Sequence, residues 1–175
     1  TNENPVRIKL ANGRFLEDVN LAEWEFLGGS GRGTIIKGNV KMSSFSKLEN
    51  LTVESNKYYG QNISVDAQGD NWYFVQNVYI DGNGNRLNVG IAMPKDSNHG
   101  MIQLNEIANN GIGILYNSTR NDMIRNNTLR NNEYGVWFYD SRKTPSAIEQ
   151  KLTELTDNNT YQNNIVSDIT NQSQR

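Results

Sequence analysis

The sequence predicts an all-β chain wound as a parallel β-helix, and three observations carry that expectation. Residues 101–116 (MIQLNEIANNGIGILY) and 123–138 (MIRNNTLRNNEYGVWF) superimpose without a gap at an offset of 22 residues, the mark of a solenoid that stacks one coil per repeat. Met, Ile, Asn, an Asn-Asn pair and Gly recur in identical places. Apolar residues replace one another, Ile107 with Leu129, Ile112 with Tyr134, Ile114 with Val136 and Tyr116 with Phe138, as a repeated interior requires. Second, short β-type alternation bounded by Gly and Asn turns extends this register in both directions. Third, asparagine makes up 28 of the 175 residues, beside 15 Gly and only 3 Pro. Coils of this length with three short strands each pair every strand with its equivalent one coil on, about 4.8 Å away, so identical residues lie above one another.

Taken in chain order, residues 1–39 read as opening coils, 40–140 as regular coils, 141–157 as a helical insertion and 158–175 as a last coil and tail. The whole forms one domain of about six to seven coils. One inner column reads Val53, Ile80, Ile107, Leu129, Val166, and the position two residues earlier reads Leu51, Val78, Asn105, Asn127, Asn164. The asparagines of the second column are expected to donate from coil to coil, satisfying polar groups that a tight bend would strand. On another strand Met42, Val65, Ile91, Ile114 and Val136 face inward, while Ser43, Asp66, Ala92, Leu115 and Trp137 face outward, beside a column of Gly90, Gly113 and Gly135. The final step is longer than the rest. Its extra residues include Thr144-Pro145-Ser146 followed by AIEQKL, an N-capped helix start with Pro in the first turn, expected near 144–156 as an excursion from one loop.

Composition narrows the function classes. A net charge of -2 leaves no electrostatic footprint for nucleic acid, and no apolar run is long enough to cross a bilayer, so membrane insertion is not expected. Zero cysteines exclude disulfides and thiol chemistry. The single histidine, His99, excludes a His-rich metal site, and no metal or cofactor is expected. The Gly-rich stretch Gly28 to Gly33 lacks the Lys-Ser/Thr of a phosphate loop and precedes a strand, so it reads as a turn.

The block Asn105 to Leu115 (NEIANNGIGIL) resembles the right-handed parallel β-helix repeats of the pectin lyase-like superfamily, especially the NosD-type carbohydrate-binding and sugar-hydrolase repeats. Val6 to Leu10, Gly13, Phe15-Leu16-Glu17, Leu27 to Gly31, Thr34-Ile35-Ile36 and Gly38 look like the opening coils of pectinesterase and tailspike β-helices. The resemblance implies a right-handed coil and a scaffold on which sites are grafted. The catalytic motifs of such enzymes do not carry over. Asp66, with Ser43 below and Ala92 above, stands alone where pectate lyases cluster calcium-binding Asp residues. Asn98-His99-Gly100 echoes the Gly-His-Gly of polygalacturonases without an Asp pair beside it.

Two constellations remain. The outward residues after the first inner column are Glu54, Asp81, Ala108 and Arg130. Glu54 and Asp81 on adjacent coils would lie about 5 Å apart, the separation retaining glycosidases use, and a like-charge pair raises one pKa as an acid catalyst needs. Both residues enter loops, where solvated turn carboxylates or a cation site are the alternatives. On the second surface Trp137 and Tyr139 face outward next to Leu115, with Asn117, Asp140 and Arg142 at the edge. There a ring can stack on a pyranose while amides and charges bond its hydroxyls. The competing arrangement folds the helix over Trp137 and makes it core. Trp72 and Tyr73 are weaker platforms of the same kind. The expected function is a non-catalytic polysaccharide-recognition or structural β-helix module of an extracellular, cell-surface or phage tail protein, its partner a polysaccharide or cell-surface glycan. The alternatives are a polysaccharide hydrolase or lyase using Glu54 and Asp81, and a spacer within a homo-oligomer, a homotrimer by likeness to phage spikes.

Overall fold

Four successive coils begin with a strand whose inward residue is aliphatic, Leu48, Val75, Ile102 or Ile124, and leave it through a left-handed corner at Asn50, Asn77, Leu104 or Asn126. In the computed structural model, residues 4–55, 62–68, 71–93, 95, 97–117, 121–140 and 144–172 are described. The first coil contains β1 (Val6–Lys9), β2 (Gly13–Phe15) and β3 (Val19–Leu21). The second contains β4 (Glu25–Gly28), β5 (Thr34–Lys37) and β6 (Val40–Met42), and the third β7 (Lys47–Glu49), β8 (Thr52–Glu54) and β9 (Asn62–Asp66). The fourth and fifth run β10 (Phe74–Gln76), β11 (Tyr79–Met93), β12 (Met101–Gln103) and β13 (Glu106–Asn117), the second and third strands of these coils being continuous. Then follow β14 (Met123–Arg125), β15 (Thr128–Arg130), β16 (Tyr134–Tyr139), α1 (Pro145–Asp157), β17 (Thr160–Gln162) and β18 (Ser167–Asn171).

All strand pairings are parallel and link equivalent strands of successive coils, as in the first sheet, whose order is β1-β4-β7-β10-β12-β14. The parallel solenoid thus completes about five turns, slightly fewer than the expected six to seven coils. In the last coil α1 takes the place of a first-sheet strand. The core is a single column running through the coils: Val53, Ile80, Ile107 and Leu129 are fully buried, as are Val65, Ile91, Ile114 and Val136.

Two registers differ from the expected ones. Leu129 pairs with Tyr161, not Val166, which is 57% exposed. The helix changes the length of the last coil, so counting by period overshoots. Asn164 accordingly moves from the first ladder to a second. Val65 pairs with Val40 rather than Met42, which places Lys41 beneath Asp66 where Ser43 was expected.

The asparagines do two jobs. In the first ladder Asn105 N and Nδ2 both donate to Asn127 Oδ1 at 3.0 Å, and Asn127 N and Nδ2 donate to Asn159 Oδ1 at 3.1 and 2.9 Å. In the second, Asn110 donates to Asn132 and Asn132 to Asn164 in the same way. These bonds close the buried corners that aliphatic side chains cannot satisfy. Other asparagines supply the corners themselves. Among the described residues, every non-glycine with positive φ falls in one of three stacked columns: Trp24, Phe45, Trp72, His99, Asn121; Asn50, Asn77, Leu104, Asn126; and Asn83, Asn109, Asn131, Asn163. Asn tolerates this left-handed conformation better than other L residues. In the first column aromatic stacking holds the corner instead, with Trp24 on Phe45 at 4.4 Å and Trp72 on His99 at 4.5 Å between ring centroids. Gly90 and Gly113 mark a close approach of coils, since a Cβ there would lie 2.6 and 2.5 Å from the carbonyl oxygens of Gly113 and Gly135.

The helix starts where expected, with Thr144 Oγ1 accepting from Ala147 N and Pro145 opening the first turn. It is not a loop excursion. Ile148 and Leu155 are buried in the core, Asn159 Nδ2 donates to Ile124 O and Lys151 Nζ to Asp122 O, so α1 closes the end of the first sheet above β14.

Candidate functional site

Two outward surfaces carry chemistry. The first is built by β8, the start of β11, the start of β13, and β15. Glu54 and Asp81 are register partners on adjacent strands, as the repeat implies, with Ala108 and Arg130 above them. Each carboxylate already has partners. Glu54 forms an ion pair with Arg14. Asp81 accepts from Asn83 N at 2.8 Å, Asn109 Nδ2 at 3.0 Å and the Tyr79 hydroxyl at 3.2 Å.

The next outward column holds residues that the sequence reading passed over, Tyr79 and Glu106, which pair in register. Glu106 bridges two guanidiniums, forming ion pairs with Arg32 and with Arg130 at 2.7 Å. Burial pushes its pKa upward, but the hydrogen bonds and charges of Arg32 and Arg130 outweigh this and hold the carboxyl below its usual range. Arg130 is raised in turn, chiefly by its bond to Glu106. The Tyr79 hydroxyl is raised by burial and by the Asp81 charge, and Arg32 lies over the Tyr79 ring, 4.8 Å from its centroid. The column of Glu106 could have been read from the repeat, because Tyr79 and Glu106 each sit two residues before Asp81 and Ala108. Arg32 could not, since it arrives from a turn three coils earlier.

The second surface is the outer face of β9, the second half of β11 and β13, β16 and β18. Trp137 pairs with Leu115 below and Thr170 above and is half-buried, its ring meeting Tyr134 edge-on at 4.8 Å. Tyr139 is 39% exposed and pairs with Asn117, so the structure brings Trp137, Tyr139, Asn117 and Leu115 together. Asp140 differs from expectation: it is only 1% exposed, because the alternation that turns Val136 and Phe138 inward carries on to it one residue past the strand. Arg142 lies outside the described residues. The anchors of α1 are on the first sheet, and Trp137 is shielded by its own strand neighbours and Tyr134. Of the weaker candidates, Tyr73 is core, fully buried, with burial first and Asp122 second raising its hydroxyl pKa above the ordinary tyrosine range. Trp72 is 46% exposed, but one ring face is covered by His99.

No curated protein and no solved structure matches this chain. A family model described as "Periplasmic copper-binding protein (NosD)" matches residues 28–175. Among the described residues the donors do not make a copper centre. The chain has no Cys and one His, and that ring is stacked on Trp72 with Nδ1 buried. Met42 and Met93 are core, which leaves Met101 and Met123 as an outward thioether pair on neighbouring strands, and the described residues hold no cluster of three His, Cys, Asp or Glu. Copper selection needs several converging imidazole or sulfur ligands. The match spans well over half of the chain and agrees with the stacked parallel coils, so the chain belongs to the NosD family of right-handed, pectin lyase-like parallel β-helices.

Proposed function

We propose that this chain is a non-catalytic polysaccharide-recognition module that works outside the cytoplasm. The observation that carries it is the outward cluster on β13 and β16, where Trp137 and Tyr139 stand over Leu115 and Asn117 on a parallel sheet. A half-exposed indole beside an exposed phenol and a carboxamide offers a pyranose an apolar face and hydroxyl partners together. The periplasmic description of the family supports a location beyond the inner membrane and lends nothing to a virion. A glycan array with the isolated chain tests the reading. Trp137→Ala is expected to weaken the bound glycan by about tenfold, roughly 1.4 kcal/mol, with a loss of folding stability well below that of a core Trp. An array without any bound glycan, or one indifferent to Trp137→Ala, overturns it.

The second reading, a hydrolase or lyase, is favoured by the register pairing of Glu54 with Asp81. Its weakness is that both carboxylates already serve as acceptors for the chain's own groups.

A further inference from the structure

Along the corner that joins the first two strands of successive coils, Asn50, Asn77, Leu104 and Asn126 share the left-handed conformation. The backbone repeats there without interruption, Asn77 N donating to Gln103 O and Leu104 N to Arg125 O, both at 3.3 Å. The side chains do not. Asn77 Nδ2 donates to Asn50 Oδ1 at 2.6 Å, whereas the leucine can bond neither Asn77 below it nor Asn126 above it. Leu104 thus carries left-handed strain that asparagine would lower, and it leaves an apolar side chain 51% exposed. Trp24, Phe45, Trp72 and His99 offset the same strain by ring stacking. A residue costly to the fold, where the repeat itself supplies a better one, points to function.

The same place holds a groove of about 240 Å³, whose lining includes Arg32, Asn77, Tyr79, Leu104, Glu106 and Asn126. It lies just under the ~300 Å³ lower end of small-ligand sites, a size that suits one sugar ring rather than a chain. One wall is fixed. The turn before β5 is tied to the next coil by Gly31 N donating to Asn50 O at 2.9 Å and Thr52 Oγ1 to Arg32 O at 3.0 Å. From there the Arg32 guanidinium lies over the Tyr79 ring and pairs with Glu106, which holds both against the groove. Asn77 and Asn126 are exposed on either side of Leu104. Their carboxamides both donate and accept, as hydroxyls do, and the leucine between them offers an apolar surface. A pyranose presents the matching combination, an apolar ring face bordered by hydroxyls.

We infer that this corner groove is a second subsite that takes a single sugar unit, its ring face on Leu104 and its hydroxyls on Asn77 and Asn126. The inference rests on the reading of the chain as a glycan-recognition module and adds a place that the outer surface around Trp137 does not supply. The experiment uses the full chain labelled with ¹⁵N and titrated to millimolar concentration with methyl β-glucoside, methyl α-mannoside and N-acetylglucosamine. It follows the side-chain amide signals of Asn77 and Asn126 and the indole signal of Trp137. At least one sugar is expected to shift both amides. Leu104→Asn should weaken that binding about fivefold while the melting temperature holds or rises, and Leu104→Met, which keeps the apolar surface, should retain it. A binding loss that comes without a stability loss cannot be put down to misfolding. Undiminished binding by Leu104→Asn, a lower melting temperature for that variant, or an equal binding loss in Leu104→Met overturns the subsite. Indole shifts without Asn77 or Asn126 shifts also overturn it and leave the outer-surface reading standing; no shift at any of the three overturns both.

Discussion

Asn127→Leu tests the ladder that holds the coils in register. The native side chain accepts from Asn105 N and Nδ2 and donates to Ile102 O and Asn159 Oδ1, each bond at about 3.0 Å. Leucine has similar bulk but makes none of these bonds. Asn105 Nδ2 keeps Val75 O and Asn159 Oδ1 keeps the Asn127 backbone N–H, whereas the buried Asn105 N–H loses its side-chain acceptor. Four bonds at about 1 kcal/mol net, offset by about 1–2 kcal/mol of added apolar burial, give a loss of about 2–3 kcal/mol. For a chain of this size that is a fall of about 5–10 °C in melting temperature. Asn121→Leu is the comparison, since Asn121 is exposed and its side chain donates to the side chain of Asn98, Oδ1, at 3.0 Å; a loss of about 1 kcal/mol or less is expected. Both are read by thermal and denaturant unfolding. Equal losses for the two variants would refute the ladder as a source of stability.

Three further outcomes follow from the corners and the ionic seam. Leu104 holds φ near 58° where its column otherwise carries asparagine, and it is 51% exposed, so Leu104→Asn should stabilise by about 1 kcal/mol, and a lower melting temperature would count against left-handed strain there. The depressed pKa of Glu106 means that its unfolded carboxyl binds a proton first on acidification. Its stabilising contribution is present above its unfolded pKa of about 4.3 and is lost as pH falls through the lower folded value. The melting difference between the native chain and Glu106→Gln should therefore hold at neutral pH and shrink below about pH 4, and a difference independent of pH would remove the charge-based account. Under the hydrolase or lyase reading, Glu54→Gln and Asp81→Asn should each abolish glycan release. The bonds now seen at Asp81 imply that Asp81→Asn also lowers stability, by about 1–2 kcal/mol, so full release by either variant excludes this pair as the catalytic acids.

The sequence by itself determined the stacking of Met101 to Tyr116 under Met123 to Phe138, the inward aliphatic columns, the helix start at Thr144 and the adjacency of Glu54 with Asp81 and of Leu115 with Trp137. Where every coil has the same length, periodicity is geometry: equal spacing along the chain becomes vertical alignment, and alternation tells inside from outside. Two features lay beyond that logic and were decided by the tertiary structure. The helix replaces a strand and alters the coil length, so Tyr161 and Asn159, not Val166 and Asn164, continue the columns of Leu129 and Asn127. Contacts across several coils have no period at all. Arg32 meeting Glu106, and α1 leaving a polar cleft beside Tyr116, depend on where a turn and a helix flank come to rest, which only packing against distant coils fixes.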